Sequence, residues 1–143
     1  MPTRRIALIL PVLLAAACAP AGIMPPPTEV GHGTANVQIT ASYRERILLP
    51  HGFTLTVRVE DVSLADAPAR VIAEHTETLD GRAPPYVVTV GFPASEIDPR
   101  HTYAARAEIR SPDGRLRFTT DTRHEVLTRG APSNANIIMV GVG

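Results

Sequence analysis

The sequence predicts a small antiparallel β-sandwich of seven to eight strands, and three observations support this fold class. Short segments in which apolar and polar residues alternate recur about every ten residues, a spacing typical of all-β domains. Turn-forming residues separate these segments, with 14 Pro and 10 Gly in 143 residues. No long segment shows the apolar period of about 3.6 residues that marks an amphipathic helix. Two β-layers around one apolar core are therefore expected.

The clearest strand pattern lies between residues 54 and 62. Leu55, Val57 and Val59 occupy every second position and the residues between them are polar, so one face of this strand is predicted to be buried. Pro50-His51-Gly52 marks the turn that precedes it.

The same reasoning predicts the other strands. The predicted segments are 36–48, 54–62, 70–79, 86–92, 102–110, 115–120 and 124–128, followed by a last apolar run at 137–142. Breaks are predicted at 65–68 and 81–85, and Pro112-Asp113-Gly114 predicts a turn because Gly readily adopts a positive φ. Ile97-Asp98-Pro99 is expected to cap a single helical or 3₁₀ turn before the strand at 102–110.

Residues 1–17 have the features of a lipoprotein signal peptide. Arg4 and Arg5 are followed by an apolar run of about 12 residues, too short to span a hydrocarbon layer roughly 30 Å thick. The run ends in the lipobox-like sequence Leu14-Ala15-Ala16-Ala17-Cys18. Cys18 is the only Cys of the chain and cannot form an internal disulfide, so it is the predicted acylation site. The alternative is an ordinary secretory signal cleaved after one of the alanines.

The N-terminal features also predict where the protein resides. Residues 18–34 are interpreted as the lipidated Cys and a Pro/Gly-rich tether, and residues 35–143 as the folded domain. Acyl chains on Cys18 would hold the protein on a membrane. Ala19 is not the Asp that marks lipoproteins retained at the inner membrane, so the outer membrane is expected, with the domain facing the periplasm.

Composition argues against several classes of function. The chain carries 14 basic and 14 acidic residues, and this balance does not favour nucleic-acid binding. The five His residues do not have the spacing of zinc ligands, and no second Cys is present. No catalytic triad spacing or phosphate-binding Gly-rich loop is found. We therefore expect no enzyme activity, no cofactor and no metal.

Three segments carry a resemblance to a known family. Residues 43–74 read YRERILLPHGFTLTVRVEDVSLADAPARVIAE, residues 97–109 read IDPRHTYAARAEI, and residues 114–122 read GRLRFTTDT. In these motifs the chain resembles the YbaY family of bacterial lipoproteins, which is grouped with YscW, the lipoprotein chaperone (pilotin) of type III secretion. The resemblance implies a β-sandwich and a non-catalytic lipoprotein, either a pilotin-like chaperone of a secretin-type protein or a binding module for another envelope protein. The alternative is an envelope lipoprotein that binds a small molecule or a glycan, although the absence of Trp argues against a sugar site.

The polar residues of these motifs are the candidate partner-binding residues. They are Tyr43, Arg44, Glu45, Arg46, Asp61, Ser63, Asp66, Tyr103, Thr120 and Asp121, and Arg58 on the polar face of its strand is added to them. The competing interpretation is architectural, because Asp and Ser at strand ends cap turns and Arg–Glu pairs link neighbouring strands.

Overall fold

The computed structural model describes residues 33–143, which contain eight strands and one short 3₁₀ helix. The strands are β1 (Thr34–Tyr43), β2 (Thr54–Asp61), β3 (Arg70–Thr78), β4 (Tyr86–Pro93), β5 (Tyr103–Arg110), β6 (Leu116–Thr119), β7 (His124–Val126) and β8 (Asn134–Gly141), and the 3₁₀ helix is Ala94–Glu96. The predicted all-β class is confirmed. The predictions for the signal peptide, for Cys18 and for the tether up to residue 32 lie outside the described residues. Between residues 33 and 143, no helix is long and apolar enough to cross a membrane.

The strands form one continuous sheet that folds back on itself into a nearly closed, barrel-like body. Its order is β3-β2-β5-β6-β8-β1-β4, and β7 pairs with β5 next to β6. A short pairing joins the halves β3-β2-β5-β6 and β8-β1-β4, with Phe118 and Thr119 of β6 opposite Gly141 and Val140 of β8. Apolar residues of both halves meet in one core, which gives the two layers of the predicted sandwich.

One strand pair departs from the predicted antiparallel arrangement. β1 and β8 run parallel, with Gln38 opposite Asn134 and Tyr43 opposite Met139. Parallel neighbours need a long connection, and here that connection comprises all the strands between them. Residue alternation within a strand assigns its faces but carries no information on the direction of its neighbour.

Three predicted boundaries are corrected. β1 ends at Tyr43 rather than at residue 48, because the chain bends there and the Tyr43 hydroxyl donates a hydrogen bond of 3.0 Å to the Ile47 carbonyl. β8 begins at Asn134, three residues before the apolar run, because its polar start pairs with β1. The 3₁₀ helix lies before Ile97, and Asp98 instead caps a separate turn, where its side chain accepts a 2.9 Å hydrogen bond from the Arg100 amide.

The core contains the residues that alternation placed on the inner faces. Leu55, Val57 and Val59 of β2 are fully buried, and so are their counterparts Ala105 and Ile109 on β5. β2 lies between β3 and β5 and is hydrogen-bonded along both edges, so its inner face is at the centre of the domain.

Thr120 completes the edge of β5 where two partner strands meet. β6 pairs with the C-terminal part of β5 and β7 with its N-terminal part, which leaves Ala107 between them. The buried Thr120 hydroxyl accepts a 2.8 Å hydrogen bond from the Ala107 amide and donates one of 2.9 Å to the Ala107 carbonyl. The Thr120 backbone amide also donates to the Ala107 carbonyl, at 3.1 Å. The hydroxyl supplies the acceptor that the Ala107 amide would otherwise lack, which explains a polar group at this buried position.

Candidate functional site

A cavity on the outer surface of β8 brings together three of the predicted motif residues. Its volume is about 410 Å³, and we call it the β8 cavity. It is lined by Arg44, Glu45, Asp121, Thr122, His124, Asn136, Ile138, Met139 and Val140. Arg44 and Glu45 come from the bend after β1 and Asp121 from the segment between β6 and β7, so residues about 75 positions apart meet only in the folded domain.

Tyr43 positions the bend that carries Arg44 and Glu45. Its ring is buried and stacks on Phe118, with a centroid distance of 4.5 Å and an interplanar angle of 18°. Its hydroxyl bonds to the Ile47 carbonyl and closes the bend around the ring. Tyr43 therefore anchors the segment from within, and the neighbouring polar side chains are exposed.

The Glu45 side chain lies directly over the end of β8. A Cβ atom added at Gly141 would be 3.0 Å from Glu45 Oε1, so a side chain at this position would crowd the carboxylate. Gly141 in turn pairs with Phe118, against which Tyr43 stacks. The bend after β1 is thus held against the junction of the two sheet halves.

The wall of the β8 cavity includes an exposed apolar strip. Ile138 is 45 % exposed and Val140 39 %, while Met139 between them is buried, so both point away from the core. Charged groups at Arg44, Glu45 and Asp121 lie beside this strip. An apolar surface flanked by both signs of charge can bind an amphipathic protein segment, whose apolar side chains would cover the strip while polar ones pair at its rim.

A second group of predicted residues lies elsewhere, where β2 ends and β5 begins. Asp61 accepts hydrogen bonds from the Ser63 amide at 3.0 Å and from the Ser63 hydroxyl at 2.5 Å, and its other oxygen lies 2.7 Å from His101 Nδ1. The Ser63 hydroxyl also accepts a 2.9 Å hydrogen bond from the Thr102 amide. Tyr103 is buried beside them, and its hydroxyl accepts a 2.8 Å hydrogen bond from the Asp98 amide. These contacts link two chain segments. Asp61 lies between Ser63 and His101, so no serine–histidine pair of a hydrolase is formed.

These contacts give the Asp61 cluster a pH dependence. Burial alone would raise the pKa of Asp61, but the hydrogen bonds from Ser63 and the interaction with His101 outweigh it and hold that pKa below its ordinary value. A carboxylate with a depressed folded-state pKa stabilises the fold above its unfolded pKa of about 3.9, and this stabilisation is lost as the pH falls through the folded-state pKa.

Replacing Asp61 with Asn should therefore lower the free energy of unfolding by about 1–2 kcal/mol at neutral pH, with a deficit that shrinks below about pH 4. Urea unfolding of wild type and variant across this pH range measures it. Asp66→Asn is the control, because Asp66 is exposed and makes no side-chain hydrogen bond with residues 33–143. A deficit that is equal at all pH values would contradict the assignment.

The remaining candidates lie outside both groups. Arg58, on the outer face of β2, donates to Glu74 on β3 and, at 3.3 Å, to Glu108 on β5. The hydrogen bond to Glu74 is the main cause of its raised pKa. Arg46 is exposed in the bend after β1 but does not line the β8 cavity. No group of three or more His, Cys, Asp or Glu residues within the described part of the chain is arranged to hold a metal ion.

Sequence reasoning missed much of the lining of the β8 cavity. His124, Asn136, Ile138 and Val140 were not among the candidate residues. Asn134 and Asn136 before the apolar run would have extended β8 and shown its alternation, and thereby placed Ile138 on the outer face.

Comparisons with known proteins agree with this architecture. A family model described as "Type III secretion system lipoprotein chaperone (YscW)" matches residues 32–139, which is most of the chain. The chain belongs to the YscW family. This family includes lipoproteins, and the predicted kinship with YbaY and YscW is confirmed.

Two individual proteins illustrate the relationship. The "Uncharacterized lipoprotein YbaY" of Escherichia coli (strain K12) is 33 % identical over 107 residues, which cover 75 % of this chain and 55 % of that protein. The chain therefore matches only about half the length of that relative. A solved structure titled "Structure of an alternative pilotin from the type II secretion system of Vibrio cholerae" has 37 % sequence identity and a TM-score of 0.74, covering 78 % of this chain and 99 % of the other.

Proposed function

We propose that this protein is a pilotin-like lipoprotein of the outer membrane, anchored by acyl chains on Cys18, that holds a segment of a secretin-type envelope protein. The residues between Cys18 and the start of β1 at Thr34 serve as the tether, and the domain that follows faces the periplasm. The observation that carries the proposal is the likeness to a type II secretion pilotin, at 37 % identity over almost all of that protein. Membership of a family described as lipoprotein chaperones supports the same role.

The β8 cavity is the binding surface that we assign to this role. It combines the exposed apolar pair Ile138 and Val140 with three charged residues of the family motifs. Arg44, Glu45 and Asp121 include both signs of charge, so the cavity favours a segment with apolar anchors and mixed polar flanks. The backbone that carries Arg44 and Glu45 is fixed by Tyr43, which lowers the ordering cost of binding.

A photo-crosslinking residue tests this assignment. Placed at position 138 of the full-length lipidated protein, it should crosslink to a secretin-type outer-membrane protein, identified by mass spectrometry of the purified adduct. Ile138→Asp should reduce co-purification of that protein at least about tenfold, because a carboxylate would be buried in the contact. The measurement is the amount of partner recovered per amount of protein.

Leu64 provides the matched control, since it is also exposed, at 72 %, but does not line the β8 cavity. The crosslinking residue at position 64 should give no such adduct, and Leu64→Asp should leave recovery unchanged. Equal adducts from both positions, or full recovery with Ile138→Asp, would contradict the assigned surface. The absence of any secretin-type adduct from envelopes that contain a secretin would contradict the function.

Glycan binding receives less support from the structure. The aromatic side chains of the chain are three Tyr and three Phe, and five of these six, Tyr43, Tyr86, Phe92, Tyr103 and Phe118, are buried. Sugar sites commonly stack a ring of the ligand on an exposed aromatic face, and only Phe53 retains partial exposure. Binding of a protein segment accounts better for an exposed apolar strip flanked by charges.

A further inference from the structure

A second cavity lies on the outer face of the other sheet half and is lined by Glu60, a residue that is largely buried. Its volume is about 290 Å³, and we call it the Glu60 cavity. Ala104 of β5 and Ala69 contribute to its lining, and their small side chains leave room above the sheet. The volume is near the lower end of the range of roughly 300–1,000 Å³ for ligand pockets, which suits a small ligand.

Glu60 is the unusual group in this cavity. It is only 6 % exposed, yet its carboxylate makes no hydrogen bond or ion pair with any residue between 33 and 143. It alternates with the core residue Val59 and lies opposite Ala104, which is buried without belonging to the core cluster. Glu60 therefore belongs to the outer face and is covered by its surroundings there. No side-chain oxygen of the described residues is both buried and unpaired, so the carboxylate oxygens of this otherwise buried residue are the part that reaches the cavity. They are therefore free to accept hydrogen bonds from a ligand there.

The nearby cation is already engaged elsewhere. Arg58 lies two residues before Glu60 on the same face, and the charge of Glu60 is a minor contributor to its raised pKa, after the hydrogen bond to Glu74. The hydrogen bonds of the Arg58 guanidinium go to Glu74 and Glu108. Arg58 thus contributes positive potential near Glu60 without satisfying its oxygens.

Arg106 is the other charged group of the cavity without a partner in the described part of the chain. It is exposed, follows Ala104 by two residues on the same face of β5, and forms no ion pair there. Arg123 lies on the same cavity and is 3.7 Å from Glu125. The hydroxyls that line the cavity are already used, since Thr120 bonds to Ala107 and Thr122 to Asp121. Asp121 also lines the cavity, and its carboxylate accepts the Thr122 hydroxyl. The charged groups of the cavity without an ion-pair partner between residues 33 and 143 are therefore the carboxylates of Glu60 and Asp121 and the guanidinium of Arg106.

We propose that the Glu60 cavity binds a small zwitterion, whose primary ammonium group donates to Glu60 and whose anionic group pairs with Arg106. A cation alone would meet the repulsion of Arg106 and Arg123, and an anion alone that of Glu60 and Asp121. A ligand with both charges can pair with the Glu60 carboxylate and with the Arg106 guanidinium together, because charge-assisted hydrogen bonds are the strong ones. The Glu60 cavity shares Asp121 and Thr122 with the β8 cavity, but Glu60 and Arg106 line only the Glu60 cavity. The inference therefore does not depend on the proposed function.

Two pairs of soluble probes test the proposal. Glycine and trimethylglycine represent a free amino acid, and glycerophosphoethanolamine and glycerophosphocholine represent a phospholipid headgroup. In each pair the second compound keeps the charges but has no N–H donor. The full chain, ¹⁵N-labelled in a non-ionic maltoside detergent, is titrated while its amide NMR signals are recorded.

At least one of the two primary amines should produce saturable shifts at Glu60, Ala104 and Arg106. Whichever of glycine and glycerophosphoethanolamine binds more tightly indicates whether the natural ligand is a free amino acid or a phospholipid headgroup. The trimethylated counterpart should bind at least about tenfold more weakly, since hydrogen bonds to a charged acceptor are lost. Glu60→Gln should weaken the binding by a similar factor while signals outside the cavity stay in place.

If Glu60→Gln does not fold, Arg106→Gln decides the question, with an expected loss of about fivefold or more. Arg115→Gln is its control, because Arg115 is an exposed Arg in the turn before β6, remote from the cavity lining. Three outcomes would overturn the proposal: no saturable shift with either primary amine, equal binding of the trimethylated compounds, or unchanged binding by a folded Glu60→Gln or Arg106→Gln protein.

Discussion

Replacing Val57 with Asp should leave the domain unfolded or close to unfolding in the absence of denaturant. Val57 is fully buried on the central strand β2, with β3 and β5 hydrogen-bonded on either side. An unpaired carboxylate at this position costs several kcal/mol, out of a typical total stability of about 5–15 kcal/mol. Urea unfolding of a form that begins at Ala19, followed by far-UV circular dichroism, measures the loss.

Val87 supplies the matched control because the same substitution can be made on an outward-facing residue. It is 57 % exposed on β4, and Val87→Asp should cost about 1 kcal/mol or less, within the range of strand preferences. Equal unfolding midpoints for the two variants would mean that the faces of the strands are assigned wrongly. Arg58→Ala is a poorer control, because Arg58 joins three strands through Glu74 and Glu108.

Replacing Cys18 with Ser should abolish acylation and remove the protein from the outer membrane. The thiol is the attachment point in a lipobox, and this chain has one Cys. Without acyl chains, we expect unprocessed precursor held in the inner membrane by its signal peptide. Metabolic labelling with a fatty-acid analogue, followed by separation of the two membranes, measures both effects.

Ala15→Leu is the control for this experiment. It changes the same segment but introduces the residue more usual three positions before a lipobox Cys, so labelling and outer-membrane location should persist. Label on the Cys18→Ser protein, or none on the wild type, would contradict the lipoprotein assignment. A labelled wild type found in the inner membrane would contradict only the location.

The strands were predictable because the residue pattern that indicates a strand lies within the strand itself. In β2 and β5 every second side chain is apolar, and the structure buries those residues. Pro112-Asp113-Gly114 was recognisable as a turn because Gly114 needs a positive φ, which it has at 84°. The end of β1 was not predictable, since Ile47, Leu48 and Leu49 extend an apolar pattern although Tyr43 has already turned the chain.

The candidate site was predictable in part. Arg44, Glu45 and Asp121 were named from family motifs, and the fold brings them to one cavity. Asp61, Ser63 and Tyr103 came from the same motifs and lie in a separate cluster that links two chain segments. A motif shows that residues recur together, but it does not report which of them share a surface.

The sequence by itself determined the all-β class, the inner faces of β2 and β5 and the YscW kinship, because these depend on residues that are near one another in the chain. Only the tertiary structure decided that β1 and β8 are parallel neighbours, that Ile138 and Val140 border Arg44 and Glu45, and that the largely buried Glu60 lines a cavity with Arg106. Those properties arise from contacts between strands far apart in the chain, and local alternation places a side chain on a face without specifying what lies opposite or beside it.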